Sequence, residues 1–334
     1  MSNTQQIFIV GSSRSGTTMM GRILGNHNQI FTFKEIHFFG TIWAGGQLSE
    51  LSKKEQVDLL SKLLCIQEYG IFDQKNLSDF NSQAIDLLNN KNLNKLEVYE
   101  LFLKIVTDQN KSIISCEQTP KNMYYLEEIL SHFPNAKVIN MVRDQRDVLL
   151  SQKNKWKRKF LGASGIPLFE AIRSFLNYHP FLTSKIWTSS LKHTMKYVSN
   201  PRVKIVKFEE MLVNSHQTIK DICNFLEIEF QEKMLLVPVI GSSTEQDSST
   251  ELTIDKTKIN KWKNGGVSDA EIYLSQKISS KMLKEFGYLL KDFNYPPLLV
   301  LYYIVVFPIK FILAFLFNLH RVSNVIRVIK KRFF

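Results

Sequence analysis

Short apolar runs alternate with longer amphipathic stretches over the first 230 residues of the chain. Residues 7–10, 30–33, 112–116, 137–142 and 203–208 are mostly continuous in apolar side chains and rich in β-branching. Such runs predict parallel strands buried on both faces, since a strand with one wet face would alternate. After the first run, Met19, Met20, Ile23 and Leu24 recur at helical spacing. Ser52-x-x-Glu55 and Ser268-x-x-Glu271 have the capping-box spacing that starts a helix. Alternating strands and helices predict an α/β fold, a three-layer sandwich around a central parallel sheet. Residues 47–110 read as a mainly helical insertion, and residues 241–250 (GSSTEQDSST) as loop. The pattern predicts one domain over residues 1–292 and a separate tail over 293–334.

The tail departs from this pattern. Residues 298–317 hold one charge, Lys310, and one proline, Pro308. That length of helix suffices to cross a bilayer. Arg321, Arg327, Lys330, Lys331 and Arg332 follow it. Three arrangements are open: a helix lying in the membrane interface, a span, or a helix packed on the domain or a partner subunit. A span would put the domain on the far side of the membrane from the basic end. The chain runs straight into its first strand with no room for a signal peptide. The expectation is therefore a cytoplasmic protein held at a membrane face by apolar area and basic charge.

Charge sharpens the picture. The 334 residues carry a net charge of +12. Residues 137–160 hold eight basic and two acidic side chains, and residues 295–334 hold six basic and none acidic. The rest of the chain is neutral, which argues against a nucleic-acid-binding coat and for two local basic features. Cys65, Cys116 and Cys223 are sparse and widely spaced, with neither disulfide nor zinc spacing, and read as small buried hydrophobes.

The first strand ends in Gly11-Ser12-Ser13-Arg14-Ser15-Gly16-Thr17-Thr18 and a helix follows. Glycines at that spacing let backbone N–H groups approach an anion, and the helix start aims its free donors and positive dipole end at it. Nucleotide triphosphatases place Lys after the second glycine, whereas this chain has Thr17 there and a cation, Arg14, inside the loop. No apolar strand ends in an Asp suited to magnesium, so the loop is expected to hold a phosphate without a metal. Arg143 closes the strand at 137–142, where ligands of open α/β sheets bind. Ser151 lies eight residues on, two turns away on a helix, and the pair could hold a second phosphate. Arg146 beside Asp147 reads as a salt bridge ordering the turn, and Trp262 as packing. Two anion sites at neighbouring strand ends suggest a nucleotide phosphorylated at two places.

These segments resemble the 5′-phosphosulfate loop and 3′-phosphate segment of sulfotransferases that use 3′-phosphoadenylyl sulfate (PAPS). The resemblance runs along most of residues 5–290. Glu117-Gln118-Thr119-Pro120-Lys121-Asn122 resembles the family's Glu-Lys-Thr-Pro segment, and Lys207-Phe208-Glu209-Glu210 its Tyr-Glu-Asp strand end. Asn260-Lys261-Trp262 resembles its cofactor-covering segment. The layout is similar to the branch containing tyrosylprotein sulfotransferases. It implies Glu35 as catalytic base, with His37 a rival, and Lys155 and Lys261 as cofactor contacts. Gln118 stands where the family has Lys, a role Lys121 could fill, and Phe208 replaces a Tyr beside the adenine.

The expected activity is sulfonate transfer from PAPS to an acceptor hydroxyl of a carbohydrate, glycolipid or tyrosine, with no metal. Arg14 and the N–H groups of Ser15, Gly16, Thr17 and Thr18 would stabilise the leaving 5′-phosphate, and Glu35 would take the acceptor's proton. Two other readings are a small-molecule kinase and a catalytically silent nucleotide-binding membrane adaptor. The missing loop Lys argues against the first, and Gln118 keeps the second open.

Overall fold

The computed structural model describes residues 5–46, 48–74, 76–89, 91–239, 243, 248–292, 296–319 and 325–333. In chain order the first half runs β1 (Gln5–Gly11), α1 (Thr17–Gly25), β2 (Ile30–Thr32), α2 (Lys53–Tyr69), α3 (Asn81–Leu88), α4 (Lys95–Gln109), β3 (Ile114–Glu117), α5 (Leu126–His132) and β4 (Lys137–Val142). There follow α6 (Gln145–Lys153), α7 (Leu168–Leu176), α8 (Pro180–Met195), β5 (Val203–Lys207), α9 (Phe208–Val213) and α10 (Ser215–Leu226). The chain closes with β6 (Pro238–Val239), β7 (Ser248–Leu252), α11 (Asp269–Glu285), α12 (Pro297–Leu316) and α13 (Val325–Phe333).

The five apolar runs form one five-stranded sheet of order β2-β3-β1-β4-β5, parallel at every pairing. Alternate residues of a strand face opposite sides, and β1 feeds two separate cores. Phe8 and Val10 pack with Phe33, Tyr99, Phe102 and Phe133 under α2, α4 and α5. Ile7 and Ile9 pack with Met20, Ile23, Ile139 and Ile222 under α1 and α10. That two-sided burial makes the three layers. Both capping boxes form: Ser52 N–H donates to Glu55 Oε2 at 2.9 Å, and Ser268 N–H to Glu271 Oε2 at 2.7 Å. All three cysteines are buried thiols, and burial pushes Cys116 up to about 12.

Two expectations need correction. Residues 248–250 belong to β7, which pairs antiparallel with β6; most of the rest of the 241–250 segment lies outside the described residues, Ser243 excepted. Arg146 pairs with Asp144 at 2.6 Å, not with Asp147. Asp144 caps α6 by accepting the Arg146 N–H, which brings carboxylate and guanidinium together. Asp147, one residue on, points another way on the helix.

The tail packs on the domain at both ends. Tyr303 O lies 3.0 Å from His179 Nε2, Phe317 stacks on Phe169, and Asn318 accepts from Arg173 at 2.7 Å. Beyond it, α13 returns to the domain: Lys331 pairs with Glu128, Arg327 donates to Gly45 O, and Arg332 O accepts from Ser189. A carboxylate, a carbonyl and the Tyr125 ring, 4.6 Å from Lys331, engage Lys331 and Arg327. Arg321 lies outside the described residues, and Lys330 is exposed. The outer face of α12 stays exposed and apolar: Leu298 is 82%, Leu301 57% and Val305 64% accessible.

Candidate active site

Every segment singled out by its chemistry lies at the C-terminal edge of the sheet. The order of strands explains this. The chain leaves β1 for β2 and β3 on one side, then returns to β4 and β5 on the other. Such a switch opens a crevice beside the end of the central strand.

Gly11 ends β1 opposite Met141, and a Cβ there would lie 2.3 Å from Met141 O. Only glycine lets the loop leave the strand so close to β4. Gly16 has φ +95°, and a Cβ there would meet the Phe208 ring at 2.3 Å. Among the described residues no side chain caps α1, which leaves its first N–H groups to a ligand. Arg14 holds a left-handed φ of 74°, a conformation that costs a non-glycine residue free energy. Ser15 is placed differently from its neighbours. Its N–H donates to Ser12 O at 3.2 Å, closing the loop, and its buried hydroxyl has no hydrogen-bond partner among the described residues.

The loop and the β4 segment meet directly. Arg14 Nε donates to Ser151 Oγ at 2.8 Å, and Arg14 Nη2 to Ser243 Oγ at 2.6 Å. Arg143 Nη1 donates to Arg14 O at 3.3 Å and Nη2 to Lys258 O at 2.8 Å. Burial pulls the Arg143 guanidinium below its ordinary value, and Asp147, Glu209 and Asp144 act to raise it. Its buried Nε has no partner among the described residues. Phe208 sits between these parts, against Gly16, with the Arg143 guanidinium 4.4 Å from its ring centroid. Asp147 accepts the Asn260 and Trp262 N–H groups at 2.9 and 3.0 Å and so clamps Lys261 to the first turn of α6. Burial and Arg143 lower the Lys261 ammonium.

On the other side of β1, Glu35 Oε2 lies 3.3 Å from His37 Nε2, with the Glu35 side chain 39% exposed. Burial alone would raise this carboxyl. The hydrogen bond and charge of His37, with Lys155 and Arg14 beyond, win and hold it below its ordinary value. His37 is itself fixed, because its N–H donates to Thr119 Oγ1 at 3.2 Å. Thr119 in turn donates to Glu117, whose buried carboxyl is raised to about 7 and also accepts from Asn122. Lys155 completes the group. Burial, then Arg14 and Arg173, push its ammonium down to about 8, while Glu35 acts to raise it.

A single cavity of about 1130 Å³ joins these residues. Arg14, Gly16, Thr17, Thr18, Glu35, Arg143, Ser151, Lys155, Phe208 and Lys261 all line it; Ser15 does not. Gln118 also lies off it, donating to Phe33 O at 3.0 Å, whereas Lys121 is on the wall. Sequence reasoning missed Ser243, a serine in a serine-rich loop with nothing to set it apart. It also missed that α7, α12 and α13 contribute to the wall, through residues such as Ala171, Phe311 and Arg332.

A family model described as the sulfotransferase family matches residues 6–232. An uncharacterized protein of Aquifex aeolicus (strain VF5) is 24% identical over 233 residues, 69% of this chain and 26% of that protein. The chain thus spans about a quarter of the length of that curated relative. The sulfotransferase domain from the curacin biosynthetic pathway superposes with a TM-score of 0.54 at 20% identity, over 87% of this chain and 100% of that one. The sulfotransferase domain of the Synechococcus PCC 7002 olefin synthase gives 0.53 at 18% identity, over 86% and 96%. The structural likenesses show a shared fold.

Proposed function

The chain belongs to the sulfotransferase family, and we propose that it moves a sulfonate from PAPS to an acceptor hydroxyl, releasing adenosine 3′,5′-bisphosphate (PAP). The observation that carries this reading is the meeting of two cationic segments, Arg14 on the β1 loop and Arg143 after β4, across Ser151. A nucleotide with phosphates at both 5′ and 3′ positions fits that pair. The buried Arg143 Nε, unpartnered among the described residues, suits a phosphate oxygen, since a buried donor left unpaired is costly.

Arg14 and the open N–H groups at the start of α1 would hold the 5′-phosphate and the charge that grows on it. Arg143, Ser151 and Lys261 would hold the 3′-phosphate. Phe208 keeps Arg143 in position, its ring covered by the guanidinium. When bound, PAPS supplies an activated sulfonate on a phosphate leaving group. Glu35, held ionised by His37, would take the acceptor's proton, a contribution of about 10²–10⁴-fold. Lys155 lies within the electrostatic reach of both Glu35 and Arg14. It would add a cation near both groups, while Lys121, also on the cavity wall, would take the place of the family Lys absent at Gln118. The reading assigns no metal, and the Thr17 side chain cannot do the work of a kinase loop lysine.

We assign residues 1–292 to the transfer domain and 293–334 to a tail that rests on a membrane face. The acceptor is a hydroxyl of a carbohydrate, of a lipid-linked sugar or of tyrosine. A direct test incubates the protein with sulfur-35-labelled PAPS and a mixed acceptor panel in each class. Labelled product with stoichiometric PAP supports the proposal. PAP-binding protein without transfer to any class would instead support a silent adaptor.

A further inference from the structure

The cavity does not end at the reacting groups. The cavity that Glu35 and Lys155 line is also lined by Ala171 of α7 and by Phe307, Phe311, Ala314 and Phe315 of α12, which form its second arm. Ala171 and the four α12 residues are apolar, and their polar neighbours on the wall, Glu170, Arg173, Asn177 and Asn318, hydrogen-bond one another, with Ser174 beside them. Arg173 and Asn318 are tied to each other at 2.7 Å. Phe311 and Phe315 are 48% and 41% exposed, so the arm reaches the surface. There the outer faces of α7 and α12 both present apolar side chains, including Leu168, Phe169, Ile172 and Phe175 on α7. The 20-residue α12 has a mean hydropathy of 2.4 and little buried surface.

We propose that the acceptor is an amphiphile whose hydroxyl-bearing head sits at Glu35 and whose single hydrocarbon chain lies in the groove between α7 and α12. Three observations select this occupant. The arm is continuous with the site of proton removal. Its α12 wall offers dispersion contact, and the polar groups Glu170, Arg173, Asn177 and Asn318 beside it bond to one another. Its mouth opens among exposed apolar faces, where a chain leaves a lipid surface without crossing water. The tail helix is then part of the acceptor site and sets its specificity. The placement of the head rests on the transfer reading above; the groove itself does not.

The test is calorimetric titration with hexyl, octyl and decyl glucosides below their micellar concentrations, with and without saturating PAP. The expected result is affinity rising about fourfold for each methylene the groove buries. Ala314→Trp, which fills the groove, should flatten that rise and leave PAP affinity unchanged. Ala171→Leu gives the same reading from the opposite wall if the first variant does not fold. Affinity independent of chain length would overturn the proposal. So would a rise that survives both substitutions, which would mark adsorption on the outer face of α12. Failure of PAP to bind alongside an intact chain-length rise would overturn the donor reading and leave the groove standing.

Discussion

The guanidinium of Arg14 and the hydroxyl of Ser151 meet at 2.8 Å although 137 residues separate them. One comes from the loop after β1 and the other from the second turn of α6. This contact fuses what the sequence presents as two anion sites into one surface. Arg14→Ala should therefore weaken PAP binding about 10–100-fold, the range for a charged hydrogen bond. Ser151→Ala should cost less, about 3–10-fold. The shift in thermal unfolding caused by PAP reads both. Equal shifts in wild type and Arg14→Ala would contradict this account of the loop.

Glu35→Gln should lower kcat by about 10²–10⁴-fold and leave the PAP-induced thermal shift intact. The carboxyl lies below its ordinary value of 4.5, so the base is ionised at neutral pH. Activity falls only as pH drops below that value. His37→Ala removes the partner that depresses it and leaves burial to act, so the acidic limb of the profile should move upward. An unmoved limb would take the base role away from Glu35.

Lys155 carries a stability cost. Its folded value of about 8 lies below the 10.5 of a free lysine, so between these values the unfolded chain binds more protons. Stability gained from this group should rise as pH increases from 8 towards 10.5. Lys155→Met should abolish that rise and stabilise the protein at pH 7 by roughly 1–3 kcal/mol, while lowering kcat. Urea unfolding at pH 7 and pH 9.5 measures it. A destabilised Lys155→Met would mean the ammonium is paired rather than poised.

The outer face of α12 makes a separate prediction. Leu298, Leu301 and Val305 are exposed on that helix. Changing all three to Glu should remove co-sedimentation with phospholipid vesicles and leave PAP binding untouched. Co-sedimentation that persists would locate membrane contact elsewhere.

Much of the fold was legible because both faces of the sheet are covered. Residues such as Ile7, Phe8, Ile9 and Val10 are all fully buried, so the strands read as unbroken apolar runs. The loop glycines were legible for a similar reason: neither Gly11 nor Gly16 leaves room for a Cβ. Contacts made by loops and tails were not. Ser243 reaches Arg14 from a segment whose composition says only that it is polar. The docking of α13 depends on Glu128 and Gly45 lying where a basic helix returns, which no periodicity encodes. Arg146 has acids at both two residues before it and one after it; only the cap geometry of α6 selects Asp144.

The central claim is that this crevice holds a nucleotide with phosphates at both 5′ and 3′ positions. Isothermal titration with PAP, ADP and ATP, each with and without magnesium, tests it most directly. The account predicts tight binding of PAP that does not depend on magnesium and is lost in Arg143→Ala. A preference for ATP that requires magnesium would contradict it.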